Sequence, residues 1–252
     1  MATNSTPSTR KTLRKATVGI LRRLGLNRRL ADIYYRHMHG FASAGDALPD
    51  VVRACLEALR ENGLAEQGDY CEFGVFKGHT LLSAQTAADS LAIKRMRFFG
   101  FDSFEGLPEP TGIDRTPEEH FYKGQYRCSL EDVRKQLDRR GADWNRMNLI
   151  KGFFDETLNE RTRRQLGLES VVLALVDCDL YSSTVAVLDF LRPLLLDGSI
   201  VVMDDWNAFD SADDRGQRRA LTEFVTANPN WTTEPSFGYG AYGQVFVVRL
   251  SD

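Results

Sequence analysis

From about residue 50 onward the apolar positions switch between two periods. Val51, Val52, Cys55, Leu56 and Leu59 recur at helical spacing behind Asp50, a predicted N-cap, with Gly63 as the stop. Strand-length apolar runs follow at Tyr70–Phe73, Arg97–Phe101, Met147–Ile150, Val171–Val176, Ile200–Met203 and Gln244–Leu250. Between them the pattern predicts helices over Lys77–Leu91, Leu130–Arg139, Asp155–Leu166, Thr184–Leu195 and Arg215–Ala227. The run VVLALV (171–176) is continuous rather than alternating, as in strands buried on both faces of a parallel sheet. The exchange of strand and helix predicts an α/β fold with a doubly wound sheet. Residues 102–128 break the rhythm with Gly106, Pro108, Pro110 and Gly112. A connection of that length is expected to be a functional lid or a disordered segment.

Ligands of such sheets bind at the carboxyl ends of the strands, so the residues just past each strand matter most. The first strand runs into Glu72-Phe73-Gly74-Val75-Phe76-Lys77-Gly78. Its glycines permit a tight turn and close approach to the backbone, and the next helix offers free N–H groups. The spacing is not the G-x-G-x-x-G that cradles a pyrophosphate, and Glu72 disfavours a phosphate while favouring an ammonium or hydroxyls. Asp102, after the second strand, is placed to accept hydrogen bonds from two ribose hydroxyls, or to cap a turn. After the third strand, Phe153 and Phe154 offer a flat face for an adenine ring, or two core side chains.

Two acidic pairs close the next two strands: Asp177 and Asp179 after VVLALV, Asp204 and Asp205 after SIVVM. Neighbouring strands would bring four carboxylates to one apolar edge, where they repel and lose hydration. A hard divalent cation with oxygen ligands compensates them and makes a bound hydroxyl easier to deprotonate. The alternative is that some are caps, Asp179 toward Ser182, or face solvent, as for Asp205.

Composition fits a soluble globular chain of 252 residues, with 42% apolar and 27% charged residues. No apolar run approaches the roughly 20 residues that span a bilayer. The net charge of −3 gives no reason to expect a nucleic-acid partner. Charge is uneven, however: residues 1–29 hold eight Lys/Arg and no acid. That segment reads as a basic tail (1–11) and an N-terminal helical segment (12–49) before a domain over 50–252. Leu13, Ile20 and Leu24 can share a helix face opposite the arginines. A transit peptide and a membrane-surface helix are alternatives, but Arg22–Arg23 interrupts any secretory-signal core. Cys55, Cys71, Cys128 and Cys178 form no CxxC unit, so a reducing, cytoplasmic compartment is expected.

Five stretches together resemble the class I S-adenosylmethionine-dependent methyltransferases, and more closely the macrocin O-methyltransferase (TylF-like) family. They are DYCEFGVFKGHTLLSA (69–84), FFGFDSFEGLPEP (98–110), LIKGFFDETL (149–158), LVDCDLYSSTVAVLDFLRPLLLDGSIVVMDDW (175–206) and GQRRALTEF (216–224). The resemblance implies a Rossmann-like, mostly parallel sheet of seven strands with an antiparallel last strand. It implies S-adenosylmethionine held by Glu72, Phe73, Gly74, Gly78 and Thr80, with Asp102 and Ser103 at the ribose and Gly152, Phe153 and Phe154 near the adenine. Asp177, Asp204 and Asp205 match the family's magnesium ligands, and Asp179 its proposed general base. The implied activity is Mg2+-dependent O-methylation of a hydroxyl on a sugar, saccharide or glycosylated natural product. The 102–128 stretch, with His120, Phe121, Tyr122 and Tyr126, is then the expected lid, and His120 an auxiliary base. Related enzymes are often dimeric or larger, so a homo-oligomer is expected. The alternatives are a nicotinamide-dependent oxidoreductase on a similar sheet and a non-catalytic binding protein.

Overall fold

The computed structural model describes residues 47–115, 121–209 and 211–251. The basic tail and all but residues 47–49 of the N-terminal segment lie outside the described residues, as does His120. In chain order the elements are α1 (Leu48–Glu61), β1 (Asp69–Phe73), α2 (His79–Ser90), β2 (Phe98–Asp102), a single 3-10 turn (Gly112–Asp114), α3 (Leu130–Arg139), β3 (Met147–Lys151), α4 (Phe154–Thr157), α5 (Glu160–Leu166), β4 (Val171–Val176), α6 (Tyr181–Leu191), β5 (Leu195–Met203), α7 (Gly216–Ala227), β6 (Trp231–Tyr239) and β7 (Gly243–Leu250). Among the described residues no helix is long and apolar enough to cross a membrane.

The strands form one seven-stranded sheet in the order β3-β2-β1-β4-β5-β7-β6. Strands β1 to β5 run parallel, and β7 lies antiparallel to both β5 and β6. This is the mostly parallel, doubly wound architecture the alternation predicts. The order reverses between β1 and β4, which opens a crevice at their carboxyl ends. Both faces of the sheet are covered, as the continuous apolar strands require. On one face Cys71, Phe73, Phe99 and Phe101 pack with Val187, Leu188 and Phe190 of α6 and Leu221 and Phe224 of α7. Phe73 stacks on Phe101 with ring centroids 5.1 Å apart. On the other face Gly100 lets Leu81 of α2 approach; a Cβ there would stand 2.9 Å from its Cδ2. Helix α1 buries Leu48, Val51, Val52, Cys55, Leu56 and Leu59, the stripe its period predicts. Each such side chain contributes about 1.5–3 kcal/mol when fully buried.

Several boundaries depart from the sequence reading. The cap of α1 is Ala47, and Asp50 lies in the first turn, because Pro49 starts the helix earlier. The helix expected over Asp155–Leu166 is two short helices, parted where the Asn159 side chain accepts the Thr162 N–H and caps a new start. The helix expected over Thr184–Leu195 is shifted to Tyr181–Leu191. Pro193 has no N–H to continue it, and Leu195 already belongs to β5. Strand β6 escapes the pattern because it is an edge strand, mostly exposed and containing Pro235.

Candidate active site

The β1–α2 turn is held by its own protein neighbours. Gly74 has φ +96°, and a Cβ there would lie 1.8 Å from the carbonyl oxygen of Asp177. The close approach that requires this glycine is therefore between β1 and β4 main chains. Asp102 then fixes the next residues. Its Oδ2 accepts the N–H of Val75 (2.8 Å) and of Phe76 (2.9 Å), and its Oδ1 accepts that of Phe104 (2.6 Å). Burial pushes the Asp102 carboxyl up against the opposing pull of those three donors. This is the turn-cap alternative. Asp102→Asn is expected to lower the melting temperature of the ligand-free protein, since one of two accepting oxygens becomes a donor and strands an N–H at about 1–3 kcal/mol. An unchanged melting temperature with weaker cofactor binding would instead assign the side chain to the ribose alone.

The other expected cofactor residues divide. Glu72 is buried on the α2 face of β1, and the Tyr70 hydroxyl donates to its Oε2 at 2.6 Å. Phe73 and Phe154 are core aromatics in edge contact with each other (6.1 Å). The adenine-facing alternative therefore keeps Phe153, half-buried at the cap of α4, and Gly152 beside it. Gly78 caps α2 in the left-handed region and abuts Val133 and Leu137 of α3, with Thr80 buried in the first turn. Ser103 closes a local turn, donating to the Gly106 carbonyl (2.8 Å) and accepting the Glu105 N–H (3.0 Å).

The acidic residues converge. Asp177, Asp204 and Asp205 each offer a carboxylate oxygen within 4.8 Å of the others. Asp179 joins them through its backbone N–H, which donates to Asp205 Oδ2 at 3.0 Å. Its φ of +60° is one that few residue types other than glycine tolerate, Asp and Asn among them. The crowding shows in the acidities. Burial, then the charges of Asp204 and Asp205, hold the Asp177 carboxyl far above its ordinary value. Burial, then Asp205 and Asp204, do the same to Asp179. Burial and Asp204 push Asp205 up to about 7. The cap and solvent alternatives for Asp179 and Asp205 are not what forms: the N–H groups of Tyr181 and Ser182 are taken by Asp114, at 2.7 and 3.2 Å.

Three residues here escaped the sequence reading. Asp114 is buried and ties the 102–128 stretch to the start of α6. Gln217 of α7 donates to the Val176 carbonyl (2.9 Å) and accepts the Asp205 N–H (3.1 Å), joining the ends of β4 and β5. It lies within GQRRALTEF, a stretch that carried resemblance but no assigned role. Tyr239 donates to Asp204 Oδ1 at 2.9 Å from the strand the pattern missed. Burial and Asp204 hold its hydroxyl well above its ordinary value, so it remains a donor. Phe121 meets Phe209 edge-on at 6.0 Å, so the irregular stretch also touches the loop that follows Asp205.

A switch-point crevice with a glycine turn on one side and an acid cluster on the other is the setting in which a family match becomes informative. Residues 24–229 match the family described as macrocin-O-methyltransferase (TylF). The chain belongs to the TylF family. Among curated relatives it is 30% identical over 169 residues to the 8-demethyl-8-(2,3-dimethoxy-alpha-L-rhamnosyl)-tetracenomycin-C 4'-O-methyltransferase of Streptomyces olivaceus, covering 66% of this chain and 62% of that protein. It is 25% identical over 159 residues to the demethyldecarbamoylnovobiocin O-methyltransferase of Streptomyces niveus, covering 62% and 58%. The chain thus spans less than two thirds of either relative's length. The fold is shared with the O-methyltransferase NovP at a TM-score of 0.67 and 21% identity, over 81% of this chain and 79% of that one. Membership of the TylF family agrees with the resemblance that the sequence motifs carry.

Proposed function

We propose that the chain is an S-adenosylmethionine-dependent O-methyltransferase acting on a sugar hydroxyl of a glycosylated natural product or saccharide, with Mg2+ at Asp177, Asp204 and Asp205. The observation that carries the metal assignment is their convergence within 4.8 Å beside Asp179. Three carboxylate oxygens gathered so closely are a donor set that suits a hard divalent cation. The sugar class comes from the Streptomyces olivaceus relative, whose name describes 4'-O-methylation of a rhamnosyl-tetracenomycin.

S-adenosylmethionine supplies a methyl group already activated on a sulfonium. A cation at the three aspartates would lower the pKa of an acceptor hydroxyl and neutralise developing charge. The chain's own residues do the rest. The Gly74–Gly78 turn, fixed by Asp102, presents the donor side of the crevice. Asp179, three residues past the end of β4 and hydrogen-bonded to Asp205 through its N–H, takes the acceptor proton as the new C–O bond forms. Holding donor and acceptor in line supplies a large share of the rate, about 7–11 kcal/mol of a barrier in favourable cases.

A methyl-transfer screen over nucleotide sugars, glycosylated metabolites and lipid-linked saccharides, with and without EDTA, tests the assignment. Methylated product that EDTA abolishes and Mg2+ restores is the expected result. Full activity in EDTA would remove the metal from the reading, and methylation of non-sugar acceptors alone would remove the sugar.

The raised acids add a pH signature. A carboxyl held above its unfolded value stabilises the fold when protonated, so its contribution is complete below about pH 4 and lost as pH rises through the folded value. For Asp205 that window closes at about 7. In EDTA the melting temperature is therefore expected to fall between about pH 4 and 7, and Mg2+ to flatten the fall by compensating the ionised cluster. Melting curves with an identical slope in EDTA and in Mg2+ would contradict a cation at these residues.

A further inference from the structure

We propose that Tyr239 is a positioning residue that holds Asp204 in the orientation in which it can ligate a cation. The inference rests on the reading of the aspartate cluster as a cation site and adds a residue outside it.

The placement of Tyr239 is built by three features of the β6–β7 hairpin. The pairing slips by one residue between Pro235 and Gly238, so Tyr239 comes to lie opposite Gly243. Gly243 has no side chain there, and the tyrosine ring fills the space. A Cβ on Gly243 would stand 2.2 Å from the ring's Cζ and 2.4 Å from both Cε atoms. The hairpin tip is tied to the loop after β5, where the Asn207 N–H donates to the Tyr242 carbonyl at 2.9 Å. So held, the hydroxyl donates to Asp204 Oδ1 at 2.9 Å.

The other end of Asp204 is also fixed, since its N–H donates to the Val176 carbonyl at 3.1 Å. The phenol holds the side chain from the hairpin side. Hydrogen-bond partners of metal ligands typically change affinity about 10–100-fold when removed. A purely structural tyrosine would act on hairpin stability instead.

Tyr239→Phe separates the two roles, because the ring stays on Gly243 and only the hydroxyl is lost. Mn2+ binding is measured without substrates from the spin-resonance signal of the free ion, on wild type and variant. The expected result is affinity about 10–100-fold weaker, with an unchanged melting temperature in EDTA. In turnover the loss should shrink as Mg2+ is raised. Gly243→Ala, which pushes the ring off its seat, should weaken Mn2+ binding similarly, and the double variant should lose little more. Equal Mn2+ affinity in wild type and Tyr239→Phe overturns this inference alone. A wild type that binds no Mn2+ overturns the cation site and the inference together.

Discussion

Asp179→Asn is expected to lower kcat by about 10²–10⁴-fold, the range lost with a general base, while S-adenosylhomocysteine binds as it does to wild type. The substitution is a clean one on structural grounds. Asp179 sits at φ +60°, which asparagine tolerates, so the β4–α6 turn keeps its path. Its backbone N–H still donates to Asp205. Only the capacity to accept a proton is lost. Burial and the neighbouring acids already raise the proton affinity of this carboxyl, which is what a base needs once a cation restores its ionised form. Single-turnover rates and calorimetric titration with S-adenosylhomocysteine make the check. A variant retaining near wild-type kcat would assign the proton to another acceptor.

Gly74→Ala is expected to destabilise the protein by roughly 3–5 kcal/mol, combining left-handed strain with forced displacement of packed atoms. The Cβ would have to displace the main-chain carbonyl of Asp177, 1.8 Å away, and no side-chain rotamer can relieve that. In a chain of this size that loss lowers the melting temperature by roughly 6–20 °C. Gly63→Ala is the control: φ is +74° but nothing lies within 4 Å of the new methyl, so only the backbone strain of about 1 kcal/mol remains. Equal melting temperatures for the two variants would show that the Asp177 contact does not constrain the turn.

These two positions also show how far the sequence could be read. Strands β1 to β5 were legible because parallel strands covered on both faces must be apolar throughout. The acid cluster was legible because Asp177 and Asp204 directly follow such strands and Asp205 comes next, which sets their carboxylates at the strand ends. Gly74 was legible as a turn but not in its cause, since the partner that excludes a Cβ lies about a hundred residues downstream. Asp102 was ambiguous because the same acid at the same strand end serves a sugar or a backbone, and only the coordinates of Val75, Phe76 and Phe104 distinguish them. Tyr239 was hidden because an exposed edge strand with a proline and a register slip has no periodicity to detect. Asp114 was hidden because its partners are main-chain groups 67 and 68 residues away.

Asp114 carries one more implication. The proline-rich stretch is stitched at one point beneath the beginning of α6 and leans at another, through Phe121, on the loop beyond Asp205. The two contacts therefore fall on the segments that follow Asp179 and Asp205. A carboxylate at position 114 thus bears on the path of the bend that carries Asp179.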